Sequence, residues 1–262
     1  AIVAFSDYAR NFNTYPFTIA PNGSEKIGGV AETLQLDVNG QAITLVYVDS
    51  TKGWVNVQNA EDTEVGTAAA FIAATGGTVT TVCTNFKVHT FTGPGTFCVS
   101  CAGNAKGSNK VSYLVVAGGG EGGSTSPSNG GGGGGAGGFR EAKNPDGGYT
   151  ASPIASTCGL AVTGAIPITV GAGGAQQPNP SNNMGNAGSN SIFSTITSAG
   201  GGGGKYDGSA NPAAQSGGSG GGGSAGTSPR RPGGSGNTPP VSPPQGNDGG
   251  TGGPNSDGTH GG

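Results

Sequence analysis

Few residues in this chain have types and spacings that suggest chemistry. Cys98-Val-Ser-Cys101 has the C-x-x-C spacing of redox and zinc sites. That chemistry needs a βαβ context or a second ligand pair, and the sequence offers neither. With Cys83 and Cys158 there are four cysteines, which allow three disulfide pairings that the sequence does not separate. A structural role is expected for them, as free buried thiols or as disulfides. Gly118-x-Gly120-x-x-Gly123 matches the dinucleotide fingerprint on paper. The fingerprint works only where a helix N-terminus meets the pyrophosphate, and Ser124–Gly138 is glycine, serine and proline without a helix signal. Gly200–Gly204 followed by Lys205 resembles part of a phosphate-binding loop. Tyr206 stands where Ser or Thr is required, and Ala199 where the first glycine belongs.

The remaining candidates are equally bare. His89 sits in an alternating, strand-like stretch, where a histidine is ordinarily a surface or packed residue. His260 is far away in sequence. Glu61, Asp62 and Glu64 read as a solvated turn, not as a carboxylate pair. Asp248-Gly249-Gly250 and Asp257-Gly258 lack the regular spacing of calcium-binding rolls. The Asn22-Gly23-Ser24 sequon is expected by chance in such a chain. No catalytic residue, metal or cofactor is expected. A net charge of -3 argues against a nucleic-acid partner. No run of 18 apolar residues supports membrane insertion.

The elements that would carry these residues follow from composition. Of 262 residues 58 are glycine, and 46 of those lie after Ala117, with 14 of the 17 prolines. Only 32% of the chain is hydrophobic, too little for one conventional core of this length. Before Ala117 the pattern is β. Strand-like alternation covers Thr33–Val38, Ala42–Val48 and Trp54–Val57, with Asn22-Gly23 and Asn39-Gly40 as turns. Ala68–Ala74 suits a helix or a strand. Residues 78–102 read as a hairpin turning at Gly93-Pro94-Gly95, with Phe91, Phe97 and Val99 on one face. Val111–Ala117 is apolar on both faces and reads as a central strand.

Three times a short strand runs into glycine. Val111–Ala117 leads into Gly118–Gly120, Ile166–Val170 into Gly171–Gly174, and Ser191–Ala199 into Gly200–Gly204. Collagen is excluded because no strict Gly-X-Y register holds. A flexible Gly/Ser linker is the alternative, but Phe139, Tyr149, Ile154, Leu160, Ile192, Phe193 and Tyr206 are spread through these tracts as anchors. Extended glycine helices have no internal hydrogen bonds and must find partners outside themselves. Without side chains, neighbouring segments can approach closely enough to supply them. The expectation is an all-β chain: an N-terminal β-sandwich or β-barrel-like domain, then a glycine-rich domain with a small β nucleus and packed extended glycine segments. The domain boundaries read from sequence are 1–20, an apolar assembly segment; 21–77, a β-rich domain; 78–117, a hairpin and central strand; and 118–262, the glycine-rich domain.

Pro21–Gly29, Thr33–Leu36, Gln41–Asp49 and Gly53-Trp54 resemble the β-rich repeat units of bacteriophage fibres. Phe91–Phe97, Val111–Gly120, Gly137–Arg140, Ile168–Gly174 and Gly188–Phe193 are similar to the glycine-rich domain of phage tail fibres and virion proteins. The resemblance implies an oligomeric, extracellular or virion-surface protein that is not an enzyme and attaches to a host surface. On that reading Tyr149, Asn182, Asn183, Tyr206, Arg230 and Arg231 are expected to face a surface glycan, through aromatic faces and amides. The alternative is a self-assembling, pilus-like filament. The apolar tip Ala1, Ile2, Val3, Ala4 and Phe5 would then complete a neighbour's sheet by strand donation. Either way the expected partner is the chain itself, as a homo-oligomer or a helical polymer. No methionine or signal peptide opens the chain, so Ala1 is expected to follow a removed leader or a later start.

Overall fold

The computed structural model describes residues 1–57, 69–104, 107–124, 130–145, 148–177, 183–206, 213–225 and 231–253. Among these residues every regular element is a β-strand, and no sheet closes into a barrel. The chain divides into two compact units, residues 1–71 with 103–108, and residues 72–102 with 109–262.

In the first unit β1 (Ile2–Ser6), β4 (Ala42–Asp49) and β5 (Gly53–Asn56) form an antiparallel sheet in the order β1-β4-β5. β2 (Phe17–Ile19) and β3 (Leu34–Leu36) form a second, two-stranded sheet. Period-two alternation turns Ile43 and Leu45 of β4 inward, where they meet Leu34 and Leu36 of β3 and Ile27. Phe5, Phe12, Ile19 and Trp54 pack around this cluster. Two open sheets over one core are the sandwich form of the expectation. Asp7 is 5% exposed, and its Oδ2 accepts N–H groups from Phe12 at 3.1 Å and Gly40 at 3.0 Å. It therefore ties the end of β1 to the turn before β4.

The second unit contains β6 (Ile72–Thr75), β7 (Thr78–Val82), β8 (Phe86–Thr90), β9 (Gly95–Ala102), β10 (Lys110–Val111), β11 (Tyr113–Val116), β12 (Phe139–Ala142), β13 (Leu160–Ala161), β14 (Gly164–Thr169), β15 (Ser191–Phe193) and β16 (Ile196–Ser198). Its largest sheet has the order β16-β15-β14-β9-β6. Phe97, Val162 and Ile166 form the side-chain core, with Phe91, Val99 and Phe193 against it.

Three sequence expectations need correction here. β9 does not form a hairpin with β8. β8 pairs with β7, while β9 lies between β14 and β6, so Gly93-Pro94 joins two sheets. β11 is not a central strand: it pairs only with β12, and Leu114 and Val116 are exposed on its outer face. Ser191–Ala199 is not one strand but a hairpin, β15–β16, turned at Ser194 with a φ of 54°.

The glycine segments grow directly from these ladders: I (117–124), II (130–138), III (171–177), IV (183–190), V (199–206), VI (213–218), VII (219–225), VIII (231–237) and IX (245–253). β11 and β12 pair from Tyr113 with Ala142 to Val116 with Phe139. In the same register Ala117, Gly120 and Gly123 donate to the carbonyls of Gly138, Gly135 and Gly132 at 3.0, 2.8 and 2.9 Å. The β15–β16 register likewise continues as Gly188 donates to Gly201 and Gly185 to Gly204, each at 2.9 Å. What changes at the boundary is the period. Donors recur every third residue, as in an extended helix of three residues per turn, so one segment can bond neighbours on several sides.

Candidate functional site

Segment V lies at the centre of this packing, and its residues 199–205 are all buried. Every N–H in that stretch has an acceptor. Gly201 and Gly204 donate to Gly118 and Glu121 of segment I at 2.9 and 2.8 Å. Gly202 and Lys205 donate to Ser219 and Gly222 of segment VII at 2.9 and 3.0 Å. On the third side Gly200 and Gly203 donate to the side-chain amides of Asn190 and Gln215 at 2.9 and 3.3 Å, while segment VI donates to their carbonyls from Gly218 and Gln215 at 2.8 and 3.1 Å. Ala199 donates to the Gln245 side chain at 2.8 Å. A buried N–H left without an acceptor would cost about 1–3 kcal/mol, so these amides are part of the core.

The registers gather one layer of the described residues on the side of the lattice far from the sheets. Ser124 donates its N–H to Asn183 at 3.1 Å, and Asn183 donates back to Ser124 Oγ at 2.9 Å. Gly132 donates to Lys205 at 2.7 Å, and Gly252 to Arg231 at 3.0 Å. Tyr206 follows Lys205 directly. The layer thus holds Asn183, Tyr206 and Arg231, three of the residues expected to face a ligand. Asn182 and Arg230 lie outside the described residues, as do Glu61, Asp62, Glu64, Asp257 and His260. Tyr149 is at the opposite end, beside Lys143, whose Nζ stands 5.3 Å from the ring centroid. Ser112, next to Tyr149, and Ser124 are separated by a strand and a glycine segment, roughly 35–40 Å at about 3.1–3.3 Å per residue. Burial raises the Tyr149 phenol's pKa, and the Glu141 carboxylate adds to that shift.

The electrostatics of the far layer are cationic at its centre. Lys205 is 1% exposed. Burial holds its ammonium pKa below the usual lysine range, and the charge of Arg231 pushes in the same direction. At the rim, Glu121 Oε1 accepts the N–H of Gln177 at 2.8 Å and its Oε2 that of Asn186 at 3.0 Å. Gln177 Nε2 donates to Asn186 Oδ1 at 3.0 Å. Glu121, Ser124, Gln176, Gln177 and Asn183 line a cleft of about 230 Å³. Apart from Asn183 these residues were not singled out by sequence. The available signal was the three-residue spacing of Glu121 and Ser124 within glycine, which places both on the face toward segment IV.

The apolar tip forms β1, an edge strand paired with β4 of its own chain from Ile2 with Val46 to Ser6 with Ala42. Phe5 packs on the core, while Ile2 is 72% exposed. The cysteines differ from expectation, since all four are free and exposed. Cys98 and Cys101 lie on β9, Cys83 in the turn between β7 and β8, and Cys158 just before β13. His89 Nδ1 lies 2.9 Å from the Gly76 carbonyl and its ring is edge-on to Phe97. Among the described residues no three His, Cys, Asp or Glu side chains are grouped to hold a metal, and no helix is long and apolar enough to cross a membrane.

Residues 90–262 match the model of a family described as a glycine-rich domain, which is well over half of the chain. The chain therefore belongs to that family. No curated protein and no solved structure matches it.

Proposed function

We propose that this member of the glycine-rich domain family is a non-enzymatic, extracellular structural and adhesion protein, similar to phage tail-fibre proteins, that attaches to host-surface glycans. The observation that carries the reading is the far layer of the glycine lattice. Backbone bonds between neighbouring segments bring Asn183, Tyr206 and Arg231 into that one layer. Amides match the vicinal hydroxyls of a sugar, and a tyrosine ring offers a flat face to its C–H side. A backbone-bonded lattice under these side chains reduces the ordering cost of binding. The test is glycan-array binding by the full chain against Asn183→Ala, Tyr206→Ala and Arg231→Ala. The reading predicts glycan binding that the three substitutions weaken. Absence of binding, or equal binding by all variants, removes it.

A second reading, a filament subunit joined by strand donation, draws on the edge position of β1 and the exposure of Ile2. Because β1 completes its own sheet, donation would exchange it between neighbours. Deletion of residues 1–12 should then abolish polymers, and polymers that persist would exclude the mechanism.

A further inference from the structure

We propose that the outer edge of β1 is a self-association surface, on which a second copy of this chain pairs its own β1 in antiparallel register. Strand parity leaves this edge open. Tyr47 donates to the Ala1 carbonyl and Asp7 to the Gln41 carbonyl, each at 2.9 Å, so Ala1, Val3, Phe5 and Asp7 turn their backbone groups toward β4. Val57 donates to Thr44 at 3.0 Å, which leaves the alternate residues of β4 to β5. The N–H groups of Ile2, Ala4 and Ser6 and the carbonyls of Ile2 and Ala4 therefore point away from the sheet. Among the described residues nothing bonds them. Ile2, Val3, Ala4 and Ser6 are all exposed.

Edge strands are ordinarily blunted by charge, proline or a bulge. Ile2–Ser6 has no charge or proline, and its pairing with β4 runs without a break. The opposite edge of the sheet is filled: Trp54 of β5 donates to Lys26 and accepts from Gly28, both at 2.8 Å. A sheet with one open edge closes with its copy as a two-fold dimer, whereas two open edges would propagate a filament.

The register that engages the open groups is centred on Ala4. Each Ala4 exchanges N–H and C=O with Ala4 of the second copy, and each Ser6 N–H reaches the Ile2 carbonyl of the other chain. Val3 then lies opposite Phe5 of the second copy on the core-facing side, a favourable pairing of a β-branched and an aromatic side chain. Phe5 already packs on the core, so this contact extends the cluster across the two-fold axis. The uncharged stretch meets its own copy without repulsion. β1 stays in its own sheet, unlike in strand exchange, and the dimer does not depend on glycan binding.

The experiment is sedimentation of the full chain and its variants over a range of concentrations, under reducing conditions. The parent chain should associate as a dimer. Ala4→Pro removes an N–H that the chain's own ladder does not use, a place where an edge strand tolerates proline. It should stay folded by Trp54 fluorescence and sediment as a monomer. Ala4→Lys and Ala4→Glu each set like charges against one another at the two-fold axis and should each be monomeric, while an equimolar mixture of the two should regain the dimer. Strand exchange would set Ala4 against Thr44 and predicts no such rescue. The charged pair decides the matter even where Ala4→Pro fails to fold. A monomeric parent chain, association that a folded Ala4→Pro leaves unchanged, or a mixture that stays monomeric would each overturn the proposal.

Discussion

Gly203 and Gly185 approach so closely that a Cβ on Gly203 would overlap the Gly185 carbonyl. Gly185 in turn donates its N–H to Gly204 at 2.9 Å, so the two segments cannot separate without losing a buried bond. Gly203→Ala should therefore destabilise the second unit by at least about 2 kcal/mol, from overpacking and broken backbone bonds. Gly133 is the control. It is exposed, and a Cβ there meets nothing within 4 Å. Gly133→Ala should be neutral or stabilising by a few tenths to about 1 kcal/mol, through the unfolded chain's lost freedom. Denaturant unfolding of the two variants, read by amide exchange in residues 199–205, separates the outcomes. Equal stability would mean that the glycine content is not required by packing.

Gln245 acts as a plug in the same lattice. It is 2% exposed, accepts from Ala199 at 2.8 Å through Oε1 and donates to Pro239 at 2.9 Å through Nε2. Gln245→Ala strands the Ala199 N–H and should cost about 1–3 kcal/mol. Gln245→Glu keeps the acceptor but buries a charge and removes the donor. Burial raises the pKa of such a carboxyl in the folded state. The Gln245→Glu variant should therefore lose stability as pH rises through the range where the new carboxyl ionises in the unfolded chain. Its deficit should be larger at pH 7 than at pH 4. Thermal unfolding at the two pH values measures this, and a pH-independent deficit would count against the buried contact.

Asp7 gives the first unit a sign-defined acid sensitivity. Burial on its own would raise the carboxyl's pKa, but N–H groups of Gly40, Phe12, Asn11 and Arg10 outweigh it and hold the pKa below the usual aspartate range. A lowered folded pKa means that the stabilisation is present above the unfolded value of about 3.9 and is lost as pH falls through the folded one. Asp49 shifts the same way, through N–H groups of Lys52 and Thr51. Asp7→Asn should reduce the loss of stability below about pH 4, and adding Asp49→Asn should reduce it further. The single tryptophan, Trp54, lies in this unit and reports its unfolding. An unchanged acid slope in Asp7→Asn would show that Asp7 is not held as described.

The strands of the first unit were readable because each has a single period. Leu34, Leu36, Ile43 and Leu45 alternate inward as simple alternation demands. The three launches into glycine were readable too, since β11, β14 and β16 each run into a segment. Pairing was not. Phe97 faces the core as expected, but whether β9 pairs with β8 or with β14 depends on partners more than 60 residues away, which local alternation does not encode. In the far layer, Asn183, Tyr206 and Arg231 were chosen by residue type alone. Their shared layer follows from ladder registers set at Tyr113–Val116 and Ser191–Ser198. Tyr149 had the same chemical merit and falls at the other end.

That separation yields the last prediction, which tests the attachment proposal directly. Asn183, Tyr206 and Arg231 belong to one layer, and Tyr149 is roughly 35–40 Å from it by strand length. Were one glycan site responsible for attachment, Tyr206→Ala and Asn183→Ala should each weaken binding at least tenfold, about 1.4 kcal/mol. Tyr149→Ala should leave it unchanged. A Tyr149 effect equal to that of Tyr206 would place recognition at the sheet end, or at both ends, and the far-layer site would fail. Tyr149 is 44% exposed beside Lys143, and its hydroxyl also meets Ser112 and Glu141, so the circular dichroism and thermal unfolding of Tyr149→Ala should first be matched to the parent chain. A loss at Tyr149 would then be a loss of contact, and the two ends can be compared on equal terms by equilibrium binding to the same immobilised glycan.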